Sequence, residues 1–206
     1  MCGEVFEIVK NMDLFDVEVR LVLQCAPVIT GIKMSNLLTV SSEDKEQVSK
    51  ILDGTGIQYY CLYQQEKKSI YFLFQRLELE EYLQEVKITA VFKTFGYNEM
   101  SLTRIFQIFK ERYIGYMQQG KEFPHEMGIL LGYPLEDVEG FIKNKGKNYL
   151  YAGYWKVYEN VQEKRLLFDA YESAKEGLVM LVANGYALRP MIEFFRDNGY
   201  CSFLNT

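Results

Sequence analysis

The sequence predicts a single α+β domain in which helix exceeds strand, and three features carry that prediction. Two apolar and aromatic runs, 57–64 and 69–76, are joined by the polar tetrad Gln65-Glu66-Lys67-Lys68, the strongest hairpin signal in the chain. Long stretches with apolar residues at helical spacing fill the second half, many of them ending at a glycine. No repeat, low-complexity segment or linker composition interrupts the 206 residues, and a hydrophobic content of 49% is enough to build a proper core. The expected architecture is a small, mostly antiparallel sheet of three or four strands packed against several helices.

Residues 13–25 satisfy two patterns at once. Val17, Val19, Leu21, Leu23 and Cys25 alternate with Glu18, Arg20 and Gln24 as in a strand, yet Leu14, Val17, Leu21 and Cys25 also share one helix face. A charged start and the Ala26-Pro27 stop favour helix, and Cys25 lies on the apolar face in either case. Pro27 allows a short helical turn to Gly31, and the run Asn36-Leu37-Leu38-Thr39-Val40 reads as a buried strand. Ser42 is placed to cap a helix reaching about Leu52, with Glu43 and Asp44 in its first turn and Gly54 past its end. The two hairpin strands are apolar on both faces, so the sheet is either covered on both sides or holds the Asn36 strand at its centre.

Helical pattern then runs over 77–95, with a break near Glu85 and a stop at Gly96. Ser101 caps the next helix, in which Leu102, Ile105, Phe106, Phe109, Tyr113, Tyr116 and Met117 form a core stripe up to Gly120. Residues 149–158 are aromatic and read as a strand at or near the sheet edge. Asn160 with Glu163 resembles a capping box for a long helix that carries Leu167, Tyr171, Ala174 and Leu178 inward and ends at Gly185. A short helix over 190–197 precedes Gly199.

The least interchangeable residue types gather in 122–158, which holds the only histidine, the only tryptophan and two of the four prolines. Pro124 and Pro134 suit first helical positions, while Gly132 and Gly146 fall where helices stop. His125 is then in a first helical turn, where the helix dipole disfavours an imidazolium and keeps a neutral ring available as base or ligand. His125 and Glu126 equally fit a plain polar first turn, since the dipole alone favours Glu126 there. The loop 144–148 is short, so Trp155 and Lys156 are expected beside the His125 turn.

The segment Phe-Pro-His-Glu-Met-Gly-Ile-Leu-Leu-Gly-Tyr-Pro-Leu-Glu-Asp-Val-Glu-Gly-Phe-Ile at 123–142, Gly-Tyr-Trp-Lys-Val-Tyr at 153–158 and Cys-Ala-Pro-Val-Ile-Thr-Gly-Ile-Lys at 25–33 with Asn36-Leu37 occur in a specific order. Together they resemble the domain-of-unknown-function 3793 family of bacterial proteins, over nearly the whole chain. The resemblance implies no activity, but it points to Cys25, Lys33, His125, Glu126, Asp137, Trp155 and Lys156 as the matching positions. It also leads one to expect a cysteine near position 152 in some relatives. This chain has Ala152 there, which counts against a site needing a second thiol.

A net charge of -5, with basic clusters no longer than Lys67-Lys68 and the Lys143, Lys145, Lys147 loop, argues against nucleic-acid and anionic-membrane partners. The first residues carry acid where a secretory signal needs base, and no apolar run approaches the roughly 18 residues that span a bilayer, so a cytoplasmic protein is expected. The cysteines at 2, 25, 61 and 201 form no Cys-x-x-Cys pair and are expected as free thiols.

Three functional classes remain. A binding or regulatory module would use the 122–158 region, with Lys33, Asn36, Tyr133, Asp137, Trp155 and Lys156 as binding residues for a small molecule or a protein partner. A thiol hydrolase or transferase would use Cys25 with His125 and Glu126, or Asp137 as orienting group, Lys33 lowering the thiol pKa; it requires Cys25 and His125 to meet across the core. A structural or assembly protein would associate through aromatic surface, and the oligomeric state is open. No metal ligands are assigned: position 129 is isoleucine, so His-Glu-x-x-His is absent, and the acids Glu122, Glu126, Glu136, Asp137 and Glu139 also suit helix first turns. The cofactor is unknown. Gly-x-Gly-x-x-Gly and Walker loops are missing, but an aromatic ligand such as a flavin stacked on Trp155 remains open.

Overall fold

A computed structural model describes residues 3–199, and helix exceeds strand there, at 59% against 13%. The chain divides into two compact units, residues 1–76 with 170–206 and residues 77–169. One division falls at the start of a helix and the other inside one, which is why no linker composition marks either. Cys2 and Cys201 lie outside the described residues.

In the first unit a helix without a strong sequence signal, α1 (Gly3–Lys10), precedes α2 (Val17–Ile29). The ambiguous segment is therefore helix. Asp16 caps it by accepting from the N–H groups of Glu18 and Val19, and its apolar side carries Leu21, Val22 and Cys25 into the core. Pro27 does not stop it as the sequence suggested: the helix continues to Ile29 because a proline two residues from the end removes only one backbone bond, and the Pro27 carbonyl then accepts from Ile32 and Lys33.

The strands are β1 (Ser35–Val40), β2 (Ile57–Gln64) and β3 (Ser69–Gln75), all antiparallel in the order β1-β3-β2. The central strand is thus β3, and the Asn36 strand is an edge. β3 reads Ser-Ile-Tyr-Phe-Leu-Phe-Gln and is buried on both faces, the signature of a central strand. Leu62 is an extra residue in β2, between Cys61, which faces Tyr71, and Tyr63, which faces Ile70; this bulge buries both Leu62 and Tyr63. Helix α3 (Lys45–Leu52) follows a 3-10 turn, Ser42–Asp44, whose cap is Ser41 and not Ser42. Ser41 and Asp44 bond reciprocally as a capping box, so the cap lies one residue earlier than predicted. Leu38, Leu73, Leu52, Val48 and the α2 residues form this unit's core with Leu178, Val179, Leu188 and Ile192.

The second unit begins with α4 (Arg76–Gln84) and α5 (Val86–Thr94), broken at Glu85, whose backbone is extended. Helix α6 (Leu102–Gln119) is capped by Ser101 and closed by Gly120 in the left-handed region. Then come α7 (Glu126–Leu130), α8 (Leu135–Lys143) and a two-stranded hairpin, β4 (Tyr151–Ala152) with β5 (Lys156–Val157). The aromatic 149–158 segment is therefore not an edge strand of the main sheet. It folds back on itself as a tight hairpin, closed by Gly153 N–H donating to Trp155 O at 3.0 Å.

Helix α9 (Val161–Ala183) and α10 (Leu188–Asn198) complete the described chain. Tyr171, Ala174 and Leu178 of α9 are buried as expected, but Phe168 is buried where Leu167 is only half-buried. Asn160 takes a left-handed φ of 51°, unlike the extended backbone of an ordinary N-cap.

Candidate functional site

Pro134 precedes α8 as its N-cap, with an extended ψ of 137°, and not as its first helical residue. The next turn carries Glu136 and Asp137. Asp137 is buried, and its carboxylate is saturated by donors from the returning chain: Trp155 Nε1–H at 2.7 Å to Oδ2, then Tyr158 N–H at 2.7 Å and Glu159 N–H at 3.4 Å to Oδ1. A buried carboxylate requires such partners, and here they fix the indole. The Trp155 ring stacks on Tyr133 at 4.7 Å and 25°, and meets Phe168 at 83° with centroids 4.5 Å apart. Two glycines let these rings close in: a Cβ at Gly153 would stand 2.4 Å from Phe168, and one at Gly140 would stand 2.5 Å from Tyr158. Gly140 lies inside α8; a glycine within a helical pattern is a signal that could have pointed to this close approach, and the sequence reading did not use it.

His125 sits at the N-cap of α7 with φ -65° and ψ -22°, outside the first turn to which the sequence assigned it. Its ring lies between Phe123 and Phe141, with centroids 5.7 and 5.8 Å away. Among the described residues its nitrogens have no hydrogen-bond partner. The neighbouring Glu126 is buried and occupied: it accepts from Tyr97 Oη–H at 2.9 Å and Arg112 at 2.8 Å, and Arg112 also donates to the Phe95 carbonyl. Burial, with the Glu126 charge beside it, raises the Tyr97 phenol well above its usual range, so it stays protonated and donates. Glu126 therefore anchors α7 to α6 and to the turn after α5.

These elements surround a cavity of about 410 Å³. His125, Tyr133, Asp137, Trp155 and Lys156 all line it, together with residues that the sequence did not single out, chiefly Phe123, Met127, Phe141 and Tyr154. The volume lies in the range of small-molecule sites, roughly 300 to 1,000 Å³, and the wall is predominantly aromatic and aliphatic with few polar groups.

Cys25, Lys33 and Asn36 form a different cluster, in the first unit. Lys33 Nζ donates to Asn36 Oδ1 at 2.6 Å, and Asn36 Nδ2 donates to the Gln24 carbonyl and approaches Cys25 Sγ at 3.9 Å. The thiol itself points at Leu37 O, 3.5 Å away. Burial pushes the Cys25 thiol up to about 12, against the opposing pull of Asn36 and Lys33, so it is protonated at neutral pH. Burial also brings the Lys33 amine down to about 8. This sealed thiol lacks the exposure and thiolate character that nucleophilic chemistry uses. Cys61, half-buried, is the other described free thiol.

Among the described residues no group of three or more His, Cys, Asp or Glu side chains converges as a metal site, and no helix is long and apolar enough to cross a membrane.

Fold and site together define an α+β protein with a largely aromatic cavity of small-molecule size, its wall built mainly from the 123–156 stretch of the second unit. The chain belongs to the family described as Protein of unknown function (DUF3793), whose pattern matches residues 21–192. No curated protein and no solved structure matches it.

Proposed function

We propose that the protein is a binding module for a small, flat, largely apolar molecule held in the cavity between α7, α8 and the β4–β5 hairpin. The observation that carries this reading is the 410 Å³ cavity whose wall includes the stacked Tyr133–Trp155 pair, held by the buried Asp137 carboxylate. A wall fixed in this way loses little side-chain entropy when a ligand arrives, which favours binding. The thiol reading has weaker support, because Cys25 is sealed and protonated. The reading takes the protein to be bacterial and cytoplasmic, in line with the family resemblance and the free thiols.

Trp155, the only tryptophan, reports directly on the cavity it lines. N-phenyl-1-naphthylamine, a neutral aromatic probe, is expected to quench Trp155 emission saturably. Ala152→Phe places a ring at an exposed lining position and is expected to abolish the quench without lowering thermal stability. Absence of saturable quenching by this probe and by its anionic counterpart, or quenching indifferent to the blocking residue, would overturn the reading.

A further inference from the structure

Lys156 is the lysine that lines the cavity. Lys164 pairs with Glu136 at 2.6 Å, Lys175 with Glu172 at 2.6 Å and Lys10 with Glu7 at 2.6 Å. Lys156 has no carboxylate partner among the described residues, although it is half-buried in the cavity wall. Its ammonium is held in place by other means: it donates to the Gly146 carbonyl at 2.6 Å and lies 4.9 Å from the Tyr149 ring centroid and 5.7 Å from that of Phe141. An ammonium has three donors, so two N–H groups remain after the Gly146 bond.

From this geometry we infer that the cavity selects an aromatic acid, its flat body against the Trp155, Tyr133, Phe123 and Phe141 side and its anionic group on Lys156. The inference rests on the binding role proposed above and names the class of ligand. A fixed cation in a mostly apolar wall attracts an anion more strongly than a solvated surface lysine does, because the surrounding dielectric is lower. His125 adds two ring nitrogens without hydrogen-bond partners among the described residues, on the same cavity, one of which can donate to the acid. The opposing charge on the wall is Asp137, and its oxygens already accept from Trp155, Tyr158 and Glu159. Basic residues also dominate the loop on which Lys156 leans, with Lys143, Lys145 and Lys147 around Gly146, all three exposed.

The test compares two probes of one skeleton, 1-anilinonaphthalene-8-sulfonate and N-phenyl-1-naphthylamine, which differ by the sulfonate. Both are titrated into the full chain while Trp155 quenching is followed. The sulfonate is expected to bind about tenfold or more tightly than the neutral probe. Lys156→Met and Lys156→Gln are expected to remove that preference, and Lys156→Arg to keep it. Circular-dichroism melts confirm that each variant is folded, and Lys156→Gln retains a donor for the Gly146 carbonyl should methionine disturb the loop. Equal affinities for the two probes, or a sulfonate preference that survives in both neutral variants, would overturn the charge selection and leave the cavity reading standing. If neither probe quenches Trp155, the cavity reading itself fails.

Discussion

Trp155 Nε1–H and Asp137 Oδ2 meet at 2.7 Å inside the second unit, joining the hairpin turn to the first turn of α8. This bond decides where the cavity's largest ring stands. The indole cannot rotate away without leaving a buried donor and part of a buried carboxylate unpaired, each loss costing on the order of 1 to 3 kcal/mol.

Asp137→Asn is therefore expected to destabilise the protein by about 2 to 4 kcal/mol, because an amide replaces acceptor capacity with a donor facing other N–H groups. Trp155→Phe keeps a ring beside Tyr133 but loses the bond, and should cost about 1 to 3 kcal/mol. The two losses should be strongly non-additive, with a coupling of about 1 kcal/mol or more in a double-mutant cycle from urea unfolding followed by far-ultraviolet circular dichroism. Simple additivity would show that the bond does not position the ring.

Gly140→Ala sets two effects against each other. Alanine gains about 1 kcal/mol of helix propensity inside α8. Its Cβ would nevertheless stand 2.5 Å from Cγ of Tyr158, a ring tied by its backbone to Asp137, and such overpacking costs typically 1 to 3 kcal/mol. The clash should win, so a lower urea midpoint is expected, together with weaker quenching of Trp155 by N-phenyl-1-naphthylamine. A variant more stable than the parent would mean that Tyr158 moves aside freely.

Lys33 gives a pH prediction with a definite sign. Burial lowers its amine from 10.5 to about 8 in the folded protein, so between those values the unfolded chain binds more protons than the folded one. Stability from this group therefore rises with pH through the window from about 8 to 10.5, as the penalty for a buried ammonium disappears. Cys25 acts oppositely above about 9, since its thiol is raised toward 12 and only the unfolded chain then ionises. Comparison with Lys33→Met removes most of the contribution from other groups: the difference in unfolding free energy should move in favour of the parent by on the order of 2 kcal/mol between pH 7.5 and 10. A difference independent of pH would mean that the amine titrates in the folded protein as it does in the unfolded chain, as a fully solvated one does.

Much of the fold was legible in the sequence because it rests on local signals. The hairpin strands, the break at Glu85, the Ser101 cap and the Gly120 stop all depend on residues adjacent in the chain, and all appear where the pattern puts them. Errors arose where distant packing outweighed local preference. Pro27 sits inside α2 because α2 packs on the sheet up to Ile29, and the hairpin β4–β5 closes on itself because its rings find partners in Tyr133 and Phe168.

By itself the sequence determined the class of the fold, and it marked 122–158 as the place where unusual residue types collect. It could not say which of them share a wall. That was decided by the tertiary structure, in which the carboxylate of Asp137 gathers donors from Trp155, Tyr158 and Glu159. The same structure engages Glu126 with Arg112 and Tyr97, seals Cys25 beside Asn36, and leaves Lys156 on the cavity wall without a carboxylate among the described residues. The physical reason is that a charged or polar side chain takes its role from the partners and the dielectric around it, and those are supplied by segments far away in the chain.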